Sequence, residues 1–152
     1  VSETTVAEAA SAGLERTRTI RLQIPARAEY IALARLALSG LADVVGLSEE
    51  LLADLKLALT EAVSNSVRHA YAGGGGVVSI AYHLRGPELA IEVVDDGAGF
   101  DPDREPLEGE LTEGGLGIAI IRAIADHLEI RSRPGVRGSR LRFVKSLHRP
   151  HA

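Results

Sequence analysis

The chain contains no cysteine. Disulfides, thiol catalysis and every cysteine-ligated zinc or iron–sulfur site are thereby excluded, and a reducing, cytoplasmic setting is expected. Lysine is almost missing as well, at Lys56 and Lys145 alone. A phosphate loop of the G-x-x-x-x-G-K-[ST] kind needs a lysine directly behind its glycines. Any phosphate chemistry here must therefore proceed without one. Basic excess is also lacking: 17 Lys and Arg stand against 21 Asp and Glu, a net charge of −4, which argues against direct nucleic-acid binding. No run approaches the roughly 18 uninterrupted apolar residues of a membrane span, so no membrane association is expected. The first residues carry acids at Glu3 and Glu8 without a basic flank and are not expected to form a secretory signal. What remains is a globular composition, 152 residues with 45% hydrophobic and 25% charged side chains. That length suits one domain with a core needing no staples.

Residues 1–15, rich in Ala, Ser, Thr and Glu, read as a flexible leader, and residues 16–149 as a single domain. Residues 18–24 alternate polar and apolar, with Ile20, Leu22 and Ile24 on one face, which predicts a half-buried strand closed by Pro25. Ile31, Ala34, Leu38, Leu41 and Val45 recur at helical spacing over 28–45, and Gly46 ends that helix. Ser48 is the expected N-cap of a second helix running to about His69, with Leu52, Leu55, Leu59, Val63 and Val67 as its apolar stripe. Two strands, 77–84 and 89–94, are joined at Gly86-Pro87 as a hairpin. A long Gly/Pro/acid-rich stretch spans 95–114. Then come a third helix from Gly115 to His127 and two strands, about 128–133 and 139–147. The last of these are basic, and their simplest reading is a solvated edge blunted by charge. The element order predicts an α+β fold, with helices on one face of a mostly antiparallel sheet.

Three constellations stand out. On the second helix Glu61, Asn65 and Arg68 share one face, nearly opposite Leu52, Leu59 and Val63. Asn is a poor mid-helix residue because its amide competes for backbone bonds, and its position there wants a reason. A Glu and an Asn one turn apart can hold a hydrated Mg²⁺ or aim a base beside one. Next, a strand delivers Asp95 and Asp96 into Gly97-Ala98-Gly99. A carboxylate there can accept from an exocyclic amine such as that of adenine. Finally, Gly114-Gly115-Leu116-Gly117 leads directly into a helix, whose free N–H groups and dipole can take phosphate without a lysine. Each has a plain structural alternative: a solvated face, an acidic turn, a flexible helix start. Their order and joint spacing are what single them out.

Together they resemble the GHKL ATPases, the group that includes gyrase and the histidine kinases. Glu61-x-x-x-Asn65 is similar to that group's N box, Asp95-x-Gly97-x-Gly99 to its G1 box and Gly115-x-Gly117 to its G2 box. Gly138-Ser139 is similar to its closing Gly-Thr segment. The likeness covers roughly residues 18–147, and Glu61-Ala62-Val63-Ser64-Asn65 with His69-Ala70-Tyr71 resembles the bacterial anti-sigma factor serine kinases in particular. The resemblance implies a two-layer α/β sandwich of the GHKL (Bergerat) type, a mostly antiparallel mixed sheet with three helices on one face. It implies ATP and Mg²⁺ as cofactors. It also implies Asn65 on the metal, Asp95 on the adenine amine, Gly97 and Gly99 beside the base, and Gly115, Leu116 and Gly117 around the phosphates. Ser139 would lie near the adenine, Glu61 would be the general base toward a protein serine, and residues 98–114 would form a lid. The implied partners are a sigma factor, gripped in part by Arg35, and a small anti-anti-sigma protein phosphorylated on serine, with the kinase a homodimer. One departure is plain. The group often carries an arginine just ahead of the G2 glycines, where Thr112-Glu113-Gly114 stands here; Arg68, or Arg122, would have to compensate. The alternative that follows is an ATP/ADP-regulated binding module with little or no kinase activity.

Overall fold

The structure is a computed structural model and describes residues 16–71, 75–97 and 115–147. The leader 1–15, the segment 98–114 expected as a lid, and Gly99 within it lie outside the described residues.

Strand β1 (Arg18–Pro25) comes first, and a single 3-10 turn (Ala28–Tyr30) leads from it into helix α1 (Ile31–Val45). Helix α1 stops at Gly46, whose φ of 72° is left-handed backbone and whose N–H bonds back to the Ala42 carbonyl at 2.8 Å. Helix α2 (Glu49–Tyr71) starts as expected at Ser48, whose Oγ accepts from the Leu51 N–H at 3.2 Å. Strands β2 (Val77–Arg85) and β3 (Glu88–Asp95) form the hairpin around Gly86-Pro87. After the undescribed segment come helix α3 (Gly115–Ile124) and strands β4 (His127–Arg131) and β5 (Ser139–Ser146).

The five strands lie in the order β1-β2-β3-β5-β4, and each pairing among the described residues is antiparallel. The period of two sorts the strands into faces. Ile24, Val78, Ile80, Tyr82, Leu84, Leu89, Ile91, Val93, Leu141 and Phe143 point toward the helices. They join Ala34, Leu38 and Leu41 of α1, Leu55, Leu59 and Val63 of α2, and Ile118 and Ile121 of α3 in one core. Helix α2 is the centre of the helical layer, touching both other helices and lying over β2 and β3. The Tyr82 hydroxyl donates to the Ala34 carbonyl at 2.6 Å and ties α1 to the sheet from within the core.

Strand order corrects one expectation. Basic β5 is an interior strand, held between β3 and β4, and not a solvated edge. Its charge is tolerated because Arg140 and Arg142 project to the helix-free face. There Arg140 meets Glu92 of β3 at 2.8 Å, and Arg142 sits in register between Glu92 and Glu129.

Candidate functional site

Asp95 closes β3 in register with Val78 on one side and Ser139 on the other. Only 4% of it is exposed, yet both carboxylate oxygens are satisfied. Oδ1 accepts from the Gly97 N–H at 2.9 Å, an Asx-type turn, and Oδ2 accepts from the Ser139 hydroxyl at 2.5 Å. The turn is latched to the end of the β4–β5 connection. The Gly138 N–H donates to the Gly97 carbonyl at 2.7 Å, and the Arg137 Nε–H donates to the Asp96 carbonyl at 3.3 Å. Gly138 takes a φ of 94° to make that bond, a conformation that favours glycine. Asp95, Gly97 and Ser139 are thus brought together.

Gly97 is buried, and a Cβ there would fall 2.6 Å from the His69 carbonyl oxygen and 2.7 Å from Ala70 backbone atoms. The last turn of α2 therefore rests directly on the Asp95 turn. Close backbone approach is the physical reason for this glycine, and the approach is made by the protein itself.

A second contact is made a little over two turns earlier on α2. A Cβ on Gly117, in the first turn of α3, would meet Glu61 Oε2 at 2.8 Å. The start of α3 therefore presses on the Glu61 side chain, which is half-buried. Asn65, one turn further along α2, is only 4% exposed, and its Oδ1 lies 3.2 Å from Nε2 of His69. The plain alternative of a solvated face therefore does not hold for Glu61 and Asn65. Protein closes this face at its two ends, where α3 packs on Glu61 and the Asp95 turn packs on the His69 and Ala70 backbone. Arg68 is exposed, Leu116 is 47% exposed and Gly117 is buried. Arg35 stands exposed on α1 and Arg122 exposed on α3.

His69, expected near the end of the second helix, lies one turn beyond Asn65 with its ring against the carboxamide. Its spacing of four from Asn65 was the available signal. Burial, and then the charge of Arg68, hold its imidazole below the ordinary histidine range, with Asp95 pulling the other way.

The profile of the histidine kinase-like ATPase domain matches residues 24–145. The chain belongs to that family. It stands on the serine-protein kinase side of it. The serine-protein kinase RsbW of Listeria innocua is 39% identical over 128 residues, covering 77% of this chain and 82% of that protein. RsbW of Halalkalibacterium halodurans is 34% identical over 142 residues, covering 87% of each. Among solved structures, a Mycobacterium tuberculosis chain with RsbU and RsbW domains superposes with a TM-score of 0.64 at 23% identity. That match covers 88% of this chain and 33% of the other, and it supports the fold alone. A domain of this family uses ATP. Here a buried carboxylate stands beside the last turn of α2, and the start of α3 stands beside Glu61 near the middle of that helix. Among the described residues no three His, Asp or Glu side chains gather into a metal cage. Asn65 Oδ1, together with a nucleotide's own oxygens, is a donor set that suits Mg²⁺. No helix of the described residues is long and apolar enough to cross a membrane.

Proposed function

We propose that this chain is an anti-sigma factor that binds a sigma factor and phosphorylates a serine of a small anti-anti-sigma protein from Mg-ATP. One observation carries the reading. Glu61 and Asn65 lie on α2 between the Asp95 turn, packed on His69 and Ala70, and the start of α3, packed on Glu61. From Glu61 to His69 the helix rises about 12 Å, a length along which a nucleoside triphosphate can be laid with its base at one end and its terminal phosphate at the other.

Each residue then has a task. The Asp95 carboxylate, with one hydrogen bond on each oxygen, keeps lone pairs that can accept from the adenine amine. Ser139 holds it in place, and Gly97 lets the last turn of α2 close directly on the Asp95 turn. The first N–H groups of α3, at Gly115, Leu116 and Gly117, face phosphate oxygens with the positive end of the helix dipole. Mg²⁺ held at Asn65 would neutralise phosphate charge and align the terminal phosphoryl group. Glu61 takes the proton of the partner's serine as its oxygen bonds to the γ-phosphorus; the bond to the β-phosphate oxygen breaks and ADP leaves. Arg68, exposed beside this face, supplies the positive charge that is missing ahead of Gly115. Arg35 on α1 contributes to the grip on the sigma factor. The protein acts in the cytoplasm as a homodimer.

A second reading has one observation in its favour: an acid, Glu113, precedes the α3 glycines where positive charge would help transfer. Under it the chain binds partners according to ATP or ADP and transfers little. Competition binding tests the common ground. ATP is expected to bind far better than GTP, which offers a carbonyl where adenine offers an amine, and Asp95→Asn is expected to abolish binding. Equal affinity for both nucleotides would overturn the placement of the base. Transfer is expected to leave an acid-stable phosphate on the partner, as serine does and histidine does not.

A further inference from the structure

A buried carboxamide in mid-helix has two polar ends to satisfy and two flipped orientations to choose between. For Asn65 the group that restrains the choice is visible. The Nε2 of His69 lies 3.2 Å from Oδ1, on the same helical face one turn toward the C-terminus. The backbone that carries the ring is fixed: the His69 carbonyl and the Ala70 backbone lie where any Cβ on Gly97 would collide with them. His69 is half-buried.

The contact has a chemical consequence. With hydrogen on Nε2, the ring donates to Oδ1 and leaves that oxygen one further lone pair. With Nε2 bare, the ring instead accepts from a carboxamide turned to present its Nδ2–H, and Oδ1 points away from the ring. Removing the ring leaves the carboxamide to rotate between orientations, so that its nitrogen spends time where its oxygen belongs. We propose that His69 is a positioning residue that fixes the carboxamide of Asn65 and so sets how strongly Mg²⁺ supports nucleotide binding. The inference rests on the proposed role of Asn65 as the cation's protein ligand. It adds to it a partner that fixes the ligand's orientation, as outer partners of metal ligands commonly do.

The test is ATP binding by the full chain, measured calorimetrically across a Mg²⁺ series and in EDTA, for wild type, His69→Ala, His69→Gln and Asn65→Ala. His69→Ala is expected to raise the Mg²⁺ concentration that half-supports ATP binding by about tenfold, within the range seen for outer partners of metal ligands. Affinity in EDTA is expected to stay as in wild type. His69→Gln, whose amide can donate or accept, is expected to recover most of the loss. A wild-type Mg²⁺ midpoint in His69→Ala would overturn the proposal, provided Asn65→Ala loses its Mg²⁺ response. An equal loss with and without Mg²⁺ would make His69 merely structural and overturn it too. If Asn65→Ala keeps the wild-type Mg²⁺ response, the role of Asn65 falls first, and the positioning role falls with it. Urea unfolding of each variant separates these outcomes from a failure to fold.

Discussion

Two glycines press on helix α2 from opposite ends of the site, and they press on different things. Gly97 meets backbone, the His69 carbonyl and the Ala70 nitrogen and Cα. Gly117 meets the tip of a side chain, the Glu61 carboxylate. A backbone neighbour cannot step aside, whereas a carboxylate can rotate away. The Asp95 end of the site is therefore rigid by construction, and the Glu61 end has a movable part. This division matches the work assigned to each end: recognition of a flat base needs a fixed acceptor, and proton transfer needs a group whose position can be set.

Substitutions at these two positions sharpen the contrast. Gly97→Ala forces a methyl into backbone and is expected to cost about 3 kcal/mol of stability, read by urea unfolding, with ATP binding lost as the turn is displaced. Gly117→Ala is expected to leave stability near or above wild type, since Ala favours a helix over Gly by about 1 kcal/mol. Its methyl would instead move the Glu61 carboxylate and slow phosphotransfer roughly 10–100-fold with little change in ATP affinity. If the two variants lose stability equally, the distinction between a rigid and a movable end is wrong.

Smaller effects belong to regions that support the site from outside. Tyr82→Phe removes the hydroxyl that binds the Ala34 carbonyl and is expected to cost about 1 kcal/mol without altering nucleotide affinity. On the helix-free face, burial holds the His83 imidazole below its ordinary value of 6.5, against the opposing pull of Glu92 and with Arg21, Arg142 and Arg140 adding to the lowering. The Arg140 guanidinium holds the Glu92 carboxyl below 4.5. Both groups take up protons more readily in the unfolded chain, so stability is present above those values and falls as pH is lowered through them. Thermal unfolding is expected to show a first loss below about pH 6.5 that His83→Gln reduces, His69 supplying the rest, and a second below about pH 4.5 that Glu92→Gln reduces. The second is expected to stay under about 1 kcal/mol because the ion pair is partly solvated.

The contrast between ends also explains what the sequence could and could not reveal. Local patterns were legible. The Ser48 cap, the αL stop at Gly46, the β2–β3 hairpin and the stripe from Leu55 to Val67 follow from neighbouring residues and stand where expected. The third helix was expected to reach His127 and ends at Ile124. The Asp126 N–H is taken by the Val144 carbonyl of β5 in place of a helical partner, a tertiary contact that helix periodicity does not contain. The interior position of β5 and the closing of the α2 face at its two ends were hidden for the same reason. Each depends on α3 and β5 folding back from beyond the long acidic stretch onto α2 and β3. The residue types and spacing of the site were readable, but the contact between Glu61 and Gly117 and the hold of His69 on Asn65 required coordinates.

The most direct test of the account is made with partners captured from native lysate in Mg-ATP, using wild type and Glu61→Ala, with phosphosites identified by mass spectrometry. A small co-purifying protein is expected to carry phosphoserine with wild type and none with Glu61→Ala, while both proteins bind ATP equally. Equal phosphoserine in both samples would contradict Glu61 as the base. Partners that respond to nucleotide yet never carry phosphoserine would contradict the kinase itself.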